Sequence, residues 1–534
     1  MAKTHDRVRA HHRDESHQLA VATSLESIFP TRRVSRNGLF AIANSVVALV
    51  SGILLIPVML RDLGSSAYGL FALSMAIAAY AGLLDFGVNA TLTREVAAQR
   101  ALGDCDGSGA TSTIASTAFF AYLVVGFLGA GVLLLLALPG ANVFGFSPRD
   151  ADLFRAIVLI VAAQVGLSLP LSVWNSVLSG LQDYHVIYSI SIAATIARFI
   201  VAAMLLHAGM GVVGLVAVGF FTACGAWLGN YLLARRRLPG LRIRPSNFNR
   251  AEMRRLVKFN ASMLVWSFAG FSLHSADRLI LGFNERLSGI AEYDVGARLS
   301  LCSRGIVQGW LDTLMPHASE LEAISGRSSL RRTFLQGTRS LLAVYGLVAV
   351  CLLVDGGRFL QWWIGPRYAD ASVVLSLLVA ANLFQMQNLV GHVMLVGMGR
   401  LRAFTVVMFC YSPVVVLFGW LASARYGVRG MAGAILVSVV VLEGAFMRYI
   451  LREFSVPFRE FLRLCQAPVL SGIVGGVVLG SVTLGVTGGA ALPAVARGAI
   501  ATSTGYVVGY VIGMPARDKC SWLLGLAKRG IGGR

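Results

Sequence analysis

The sequence predicts an all-α polytopic membrane protein with about fourteen transmembrane helices. They are expected as two six-helix bundles related by a pseudo-two-fold repeat, followed by two further C-terminal helices. Three observations lead there. Of 534 residues, 56% are hydrophobic and 13% charged, and mean hydropathy is +0.70, whereas soluble domains carry roughly a quarter charged residues. Apolar runs of about 20 residues recur along the whole chain, each long enough to cross a hydrocarbon core of roughly 30 Å. A transmembrane barrel would show short alternating segments instead. Finally, the chain repeats itself at long range, in register.

The runs fall near 38–60, 68–90, 113–138, 153–174, 186–207, 211–234, 258–283, 291–316, 338–356, 371–396, 403–424, 430–450, 464–485 and 494–514. With the N-terminus inside and strict alternation, about 33 basic residues lie in inside segments and about 9 outside, the bias that sets membrane orientation. Arg235, Arg236, Arg237, Arg242, Arg244 and Arg250 are inside, as are Arg331, Arg332, Arg448 and Arg452. One missed span would scramble the alternation after it, so both termini are expected in the cytoplasm. The net charge of +20 is thus read as loop arginines rather than a nucleic-acid surface. No signal peptide is expected, since the first apolar run begins near Gly38 and is too late and too long.

The repeat is carried by four matches in order. Gly64-x-x-x-Tyr68-x-x-x-Ala72 matches Gly289-x-x-x-Tyr293-x-x-x-Ala297, and the segment around Gly145 and Pro148 resembles that around Gly365 and Pro366. Leu178 and Gly180 resemble Leu395 and Gly397, and Gly211 with Gly214 matches Gly427 with Gly430. These matches divide the chain into a basic arm (1–36), a first bundle (37–237), a basic linker (238–257), a second bundle (258–452), two added spans (453–515) and a basic tail (516–534). An even six-span repeat keeps both copies parallel, and two halves meeting at a cleft is a transporter design with its site at the repeat interface.

Charges inside the spans are the candidate functional residues, because an ionisable group in a bilayer is costly. Asp294, Arg298, Gln308 and Asp312 share one helical face, with Arg304 about 80° off it. Asp294 and Arg298 also have the i,i+4 spacing of a structural ion pair. The preceding span offers His274, Asp277 and Arg278, and Asp277 also suits a pin for the hairpin. In the first half, Asp85, Asn89 and Thr93 are expected along one face of a continuous second span, and Arg198 lies near the middle of the fifth. Tyr68 and Tyr293 fall at the outer interface, where an aromatic belt would place them. An arginine's planar fork binds oxyanions bidentately, so arginines facing a cavity point to an anionic substrate. The candidate substrate-binding residues are therefore Arg298, Arg304, Arg198, Arg278 and Gln308; the candidates for ion coupling are Asp277, Asp312 and Asp85.

No enzyme motif is present: neither a phosphate-loop lysine motif nor G-x-S-x-G nor H-E-x-x-H. The seven cysteines are scattered without a C-x-x-C pair, and read as small buried hydrophobes. His11, His12 and His17 are irregularly spaced in a basic arm. No cofactor, metal or nucleic acid is expected.

The run Leu55-Ile-Pro57 through Arg61, Gly64, Tyr68 and Gly69 resembles the opening of Wzx-type polysaccharide-biosynthesis flippases. These belong to the multidrug/oligosaccharidyl-lipid/polysaccharide exporter superfamily. Leu84-Asp85-Phe-Gly87, Gly180-Leu181-Gln182, Asp277-Arg278 through Gly282, Ala291 through Arg298, and Met315-Pro316 are similar to the family's later motifs. The resemblance covers about residues 36–515. It implies two six-helix bundles around a cationic cavity. It implies transfer of an undecaprenyl-diphosphate-linked oligosaccharide from the cytoplasmic to the periplasmic leaflet of a bacterial inner membrane by alternating access. The glycan would serve O-antigen, capsule or exopolysaccharide synthesis, with a polysaccharide polymerase and a chain-length regulator as partners. Of the candidate residues, Asp277, Arg278 and Arg298 sit within motifs that match; Arg198 and Arg304 are inferred from their place in the membrane alone. The alternatives are a lipid II flippase, a multidrug or cation antiporter, and a non-transporting scaffold. The first usually carries an arginine–aspartate cluster in span 1, which is uncharged here between Gly38 and Leu60. The second fits poorly with an excess of arginine. The third leaves the charged hairpin without a purpose.

Overall fold

The computed structural model describes residues 31–80, 84–85, 88–103, 106–254, 276–324, 326–398, 401–487 and 492–515. Residues 1–30 of the basic arm, the C-terminal tail and His274 lie outside the described residues, as do the side chains of 306–324, Gln308 and Asp312 among them.

All the regular structure among the described residues is helical. In chain order the helices are α1 (Thr31–Tyr80), α2 (Val88–Ala101), α3 (Ala110–Val143), α4 (Pro148–Gly180), α5 (Tyr184–His207), α6 (Gly211–Arg237) and α7 (276–284). They continue with α8 (Leu287–Ile324), α9 (Gly326–Ile364), α10 (Ala369–Gly397), α11 (Leu401–Glu453), α12 (Ala467–Thr487) and α13 (Leu492–Gly513). Among the described residues, nine helical segments are long and apolar enough to cross a membrane. The chain is a multi-pass membrane protein.

The long elements hold two spans each. α1 turns at Gly64, whose φ of 80° and ψ of 169° break the helical ladder, and α11 turns likewise at Gly427. The turns before α4 and α10 place a glycine, Gly145 or Gly365, at positive φ. Two matched pairs of the repeat, Gly145 with Gly365 and Gly211 with Gly427, thus share a positive φ that L side chains rarely adopt.

The second span departs from expectation. It is not one helix over 68–90: α1 ends at Tyr80, Leu84–Asp85 form a single tight turn, and α2 starts at Val88. Asp85 anchors the start of α2 through side chains. Its Oδ1 accepts a hydrogen bond from Asn89 Nδ2 at 2.7 Å and another from the Tyr122 hydroxyl of α3.

In the first half, α3 packs on α4, α4 on α6 and α5 on both α6 and α1. In the second, α10 packs against α8, α9 and α11, while α12 and α13 form a close pair along α9. Small residues make that pair possible: Gly475 and Gly505 each face the other's backbone, as TM helices do when backbones approach closely. The linker after α6 is laid across the start of α3. Ser112 and Ser116 accept from the backbone N–H of Arg242 and Arg244 (3.0 and 3.2 Å), and Thr117 accepts from that of Asn249.

The halves meet chiefly where α1 packs on α8. Tyr68, Leu70, Leu73, Ile290, Tyr293 and Val295 are fully buried there, in one continuous apolar core. Gly69 lets α1 approach so closely that a Cβ would overlap the Leu287 carbonyl oxygen. Gly69→Ala should therefore destabilise the purified protein by about 1–3 kcal/mol, the cost of overpacking. Gly52→Ala, with open space around its Cα, should be neutral or gain up to about 1 kcal/mol from helix propensity. Thermal or denaturant unfolding in detergent checks both.

Candidate functional site

The seam between α1 and α8 carries a cluster of charges. Asp294 of α8 is fully buried, because its helix is pressed between α1 and α10. Its Oδ1 accepts from Arg278 Nε of α7 at 2.7 Å. Its Oδ2 accepts from Arg298 Nε at 2.5 Å and from the Tyr68 hydroxyl of α1 at 2.7 Å. Beside it, Asp277 accepts from the Tyr293 hydroxyl at 2.8 Å and from Arg278 Nη1 at 3.2 Å. The Arg278 guanidinium also stands 6.0 Å from the Tyr293 ring centroid.

This corrects the reading of Tyr68 and Tyr293 as aromatic-belt residues: both are at 0% exposure and both donate to buried carboxylates. Interface tyrosines keep the hydroxyl in water; these spend it inside, because each carboxylate needs donors once it leaves water. Their positions in the repeat, five residues into each outer turn motif, were visible in the sequence; their partners were not. Asp294 and Arg298 do form the i,i+4 pair, but the carboxylate also takes Arg278 and a tyrosine from the other half.

Two of the arginines reach open space. The Arg298 side chain is 38% exposed although its Nε is held by Asp294. On the same face, Leu301 and Gly305 are exposed. Across from it, Arg198 of α5 is exposed beside Gly219 of α6, and it is near enough to Arg298 for their charges to repel. One exposed cation from each half thus lies within reach of the other's charge. Arg304 is half-buried, with Nη1 donating to Gln385 Oε1 of α10 at 2.8 Å. The structure therefore brings Arg278 and Arg298 together with Asp277 and Asp294, sets Arg198 opposite them, and holds Arg304 towards α10.

Asp85 belongs to a separate cluster in the first half. With Asn89 it joins Ser172 and Ser176 of α4, which donate to Asn89 Oδ1 at 3.0 and 2.6 Å. Thr93 donates to the Asn89 and Ser176 carbonyls. Sequence reasoning missed two buried carboxylates, Asp355 of α9 and Glu443 of α11. Both lie in or beside apolar runs, so the rule that singled out Asp277 would have found them. Among the described residues no group of three or more His, Cys, Asp or Glu is placed to hold a metal ion.

The fold has counterparts among solved membrane proteins. The chain is similar to the lipid II flippase MurJ in an inward closed conformation, with a TM-score of 0.67, 11% identity, 89% of this chain and 98% of that one covered. It is also similar to an inward-facing multidrug resistance MATE family transporter of the MOP superfamily (TM-score 0.58, 16% identity, 78% and 94% covered). A third likeness is to a MOP superfamily transporter from Pyrococcus furiosus (TM-score 0.51, 15% identity, 80% and 96% covered). No curated protein matches the chain. The family of polysaccharide biosynthesis proteins matches residues 35–322, and the chain belongs to that family.

The cluster generates a stability prediction. Asp294→Asn leaves Arg278 and Arg298 without their shared carboxylate and should cost about 3–5 kcal/mol. Tyr68→Phe removes one donor to a charged acceptor and should cost about 1.5–3 kcal/mol. In a double-mutant cycle the two should couple by at least about 0.5 kcal/mol, as contacting residues do; strict additivity would place Tyr68 outside the network.

Proposed function

We propose that this protein flips an undecaprenyl-diphosphate-linked oligosaccharide from the cytoplasmic to the periplasmic leaflet of a bacterial inner membrane, for O-antigen, capsule or exopolysaccharide synthesis. The observation that carries the reading is Arg198 and Arg298, two cations from opposite halves, each exposed and near enough for their charges to act on each other. Arg298 is already paired with Asp294, but no carboxylate among the described residues is paired with Arg198, and a cation left so in a membrane is unfavourable until an anion meets it. A diphosphate supplies that charge in a compact form suited to two guanidinium forks. The oligosaccharide would occupy the space along Leu301 and Gly305, and the polyprenyl chain would stay in the bilayer. A polymerase and a chain-length regulator would receive the glycan.

Basic residues lie at the Arg235–Arg237, Arg331, Arg448 and Arg452 ends, which supports both termini in the cytoplasm. In that orientation the Tyr68–Asp294 network sits at the periplasmic end and holds the halves together there. Alternating access then requires the network to part when the cargo leaves. The sequence blocks 37–237 and 258–452 are the two moving units in this scheme.

Deleting the gene in its host should accumulate the lipid-linked oligosaccharide on the cytoplasmic leaflet and abolish the surface polysaccharide, as read by leaflet-resolved lipid analysis. An unchanged pool with an altered drug-sensitivity panel would favour an antiporter instead. With the purified protein, Arg198→Ala or Arg298→Ala should weaken binding of a polyprenyl diphosphate about 10- to 100-fold, the loss expected for one charge-assisted contact. Arg298→Lys should recover only part of it, since an ammonium lacks the fork.

A further inference from the structure

Most buried carboxylates in the spans have donors that account for their charge: Asp277 and Asp294 take arginines. Glu443 is different. It is 5% exposed, in the second span of α11. Its hydrogen-bond partner is a neutral amide: Asn388 Nδ2 of α10 donates to Glu443 Oε2 at 2.6 Å and to the Glu443 backbone carbonyl at 2.8 Å. The backbone oxygen can only accept, so it fixes the amide with its NH2 towards the carboxyl group.

The charged and titratable groups around Glu443 come from four directions. From α10, His392 Nε2 stands 3.7 Å from Oε2. From α8, Arg304 acts through its charge without contact. From α11 itself, Arg448 and Arg452, both exposed, line the same cavity. From the segment before α12, Gln466 is neutral and donates to Gln387 Oε1 at 2.6 Å. No arginine or lysine among the described residues forms an ion pair with Glu443.

The cavity measures about 860 Å³. It is lined by buried Glu443 and Asn388, half-buried Gln387 and Gln466, and exposed Arg448 and Arg452. Asn388 Oδ1 is buried and has no hydrogen-bond partner among the described residues, so it can accept from a water there. An ionised carboxylate in such a place costs several kcal/mol unless its charge is cancelled. A metal cation would ask for several oxygen ligands, whereas Asn388 faces the carboxylate with N–H groups.

We propose that Glu443 is a proton-binding site of the second half, loaded through this cavity from the Arg448–Arg452 end. A hydronium ion in the cavity gives its proton to the carboxylate. Water and a neutral carboxylic acid result, and the site's charge changes by one. The proposal is independent of the cargo, and it adds a protonation step at a residue distinct from Asp85, Asp277 and Asp312.

Infrared difference spectroscopy of the full-length protein in lipid nanodiscs, titrated across neutral pH, tests it. The expected result is a pH-dependent protonated-carboxyl band with the amplitude of one group. It should be lost in Glu443→Gln and kept in Glu443→Asp and in the surface control Asp152→Asn. Persistence of the full band in Glu443→Gln overturns the proposal. So does replacement of the band by sodium at constant ionic strength, which would mark a metal-cation site. Asn388→Ala keeps the acid and removes its amide donor, so it should shift the band's frequency even if Glu443→Gln does not fold; an unshifted band also overturns the assignment.

Discussion

The structure depends on one buried carboxylate. Asp294 has no access to water, and it holds its charge because three donors converge on two oxygens. Two of these come from its own half and one, the Tyr68 hydroxyl, from the other. In a low-dielectric interior such a group is strongly unfavourable when a donor is missing and stable when all are present. The halves are therefore held by an interaction that is either complete or broken. That is a suitable property for a joint that must exist in one conformation and be absent in another.

The repeat makes the joint nearly symmetric. Tyr68 and Tyr293 occupy matched positions of the two copies, and each donates to a carboxylate of the second. The symmetry ends there, because the first copy has no counterpart of Asp294: Ala72 and Ala297 match, but Gly69 stands where Asp294 does. A glycine at that place lets α1 reach the Leu287 backbone, so one copy supplies the charge and the other the close approach. Arg298 links this joint to the accessible face beyond it, since one guanidinium edge is held by Asp294 while the side chain remains partly open.

The second half carries more buried ionisable groups than the first, and its two added helices cover part of them. Thr502 of α13 donates to Asp355 at 2.8 Å, and Gly480 and Gly498 allow α12 and α13 to close over that side chain. The appended pair thus packs as part of the second half's interior as well as facing lipid. Glu443 lies away from this cover, against the large cavity near Arg448.

Much of the architecture was legible in the chain because the bilayer imposes simple rules. Span length follows from hydrocarbon thickness, helicity from the need to satisfy every backbone group internally, and side preference from loop arginines. The repeat was legible because glycines at turns such as Gly145 and Gly365 are held by backbone geometry. The pairing of Asp294 with Arg298 was legible because a helix brings i and i+4 together. What lay between helices was not. The anchoring of Asp85 depends on Tyr122 of α3, the burial of Tyr68 on Asp294 lying across the seam, and the setting of Glu443 on Asn388 in a neighbouring helix. Hydropathy and periodicity describe one helix against an average environment. Which donor meets which acceptor is decided by the register and rotation of one helix on another, and those exist only once the chain is packed.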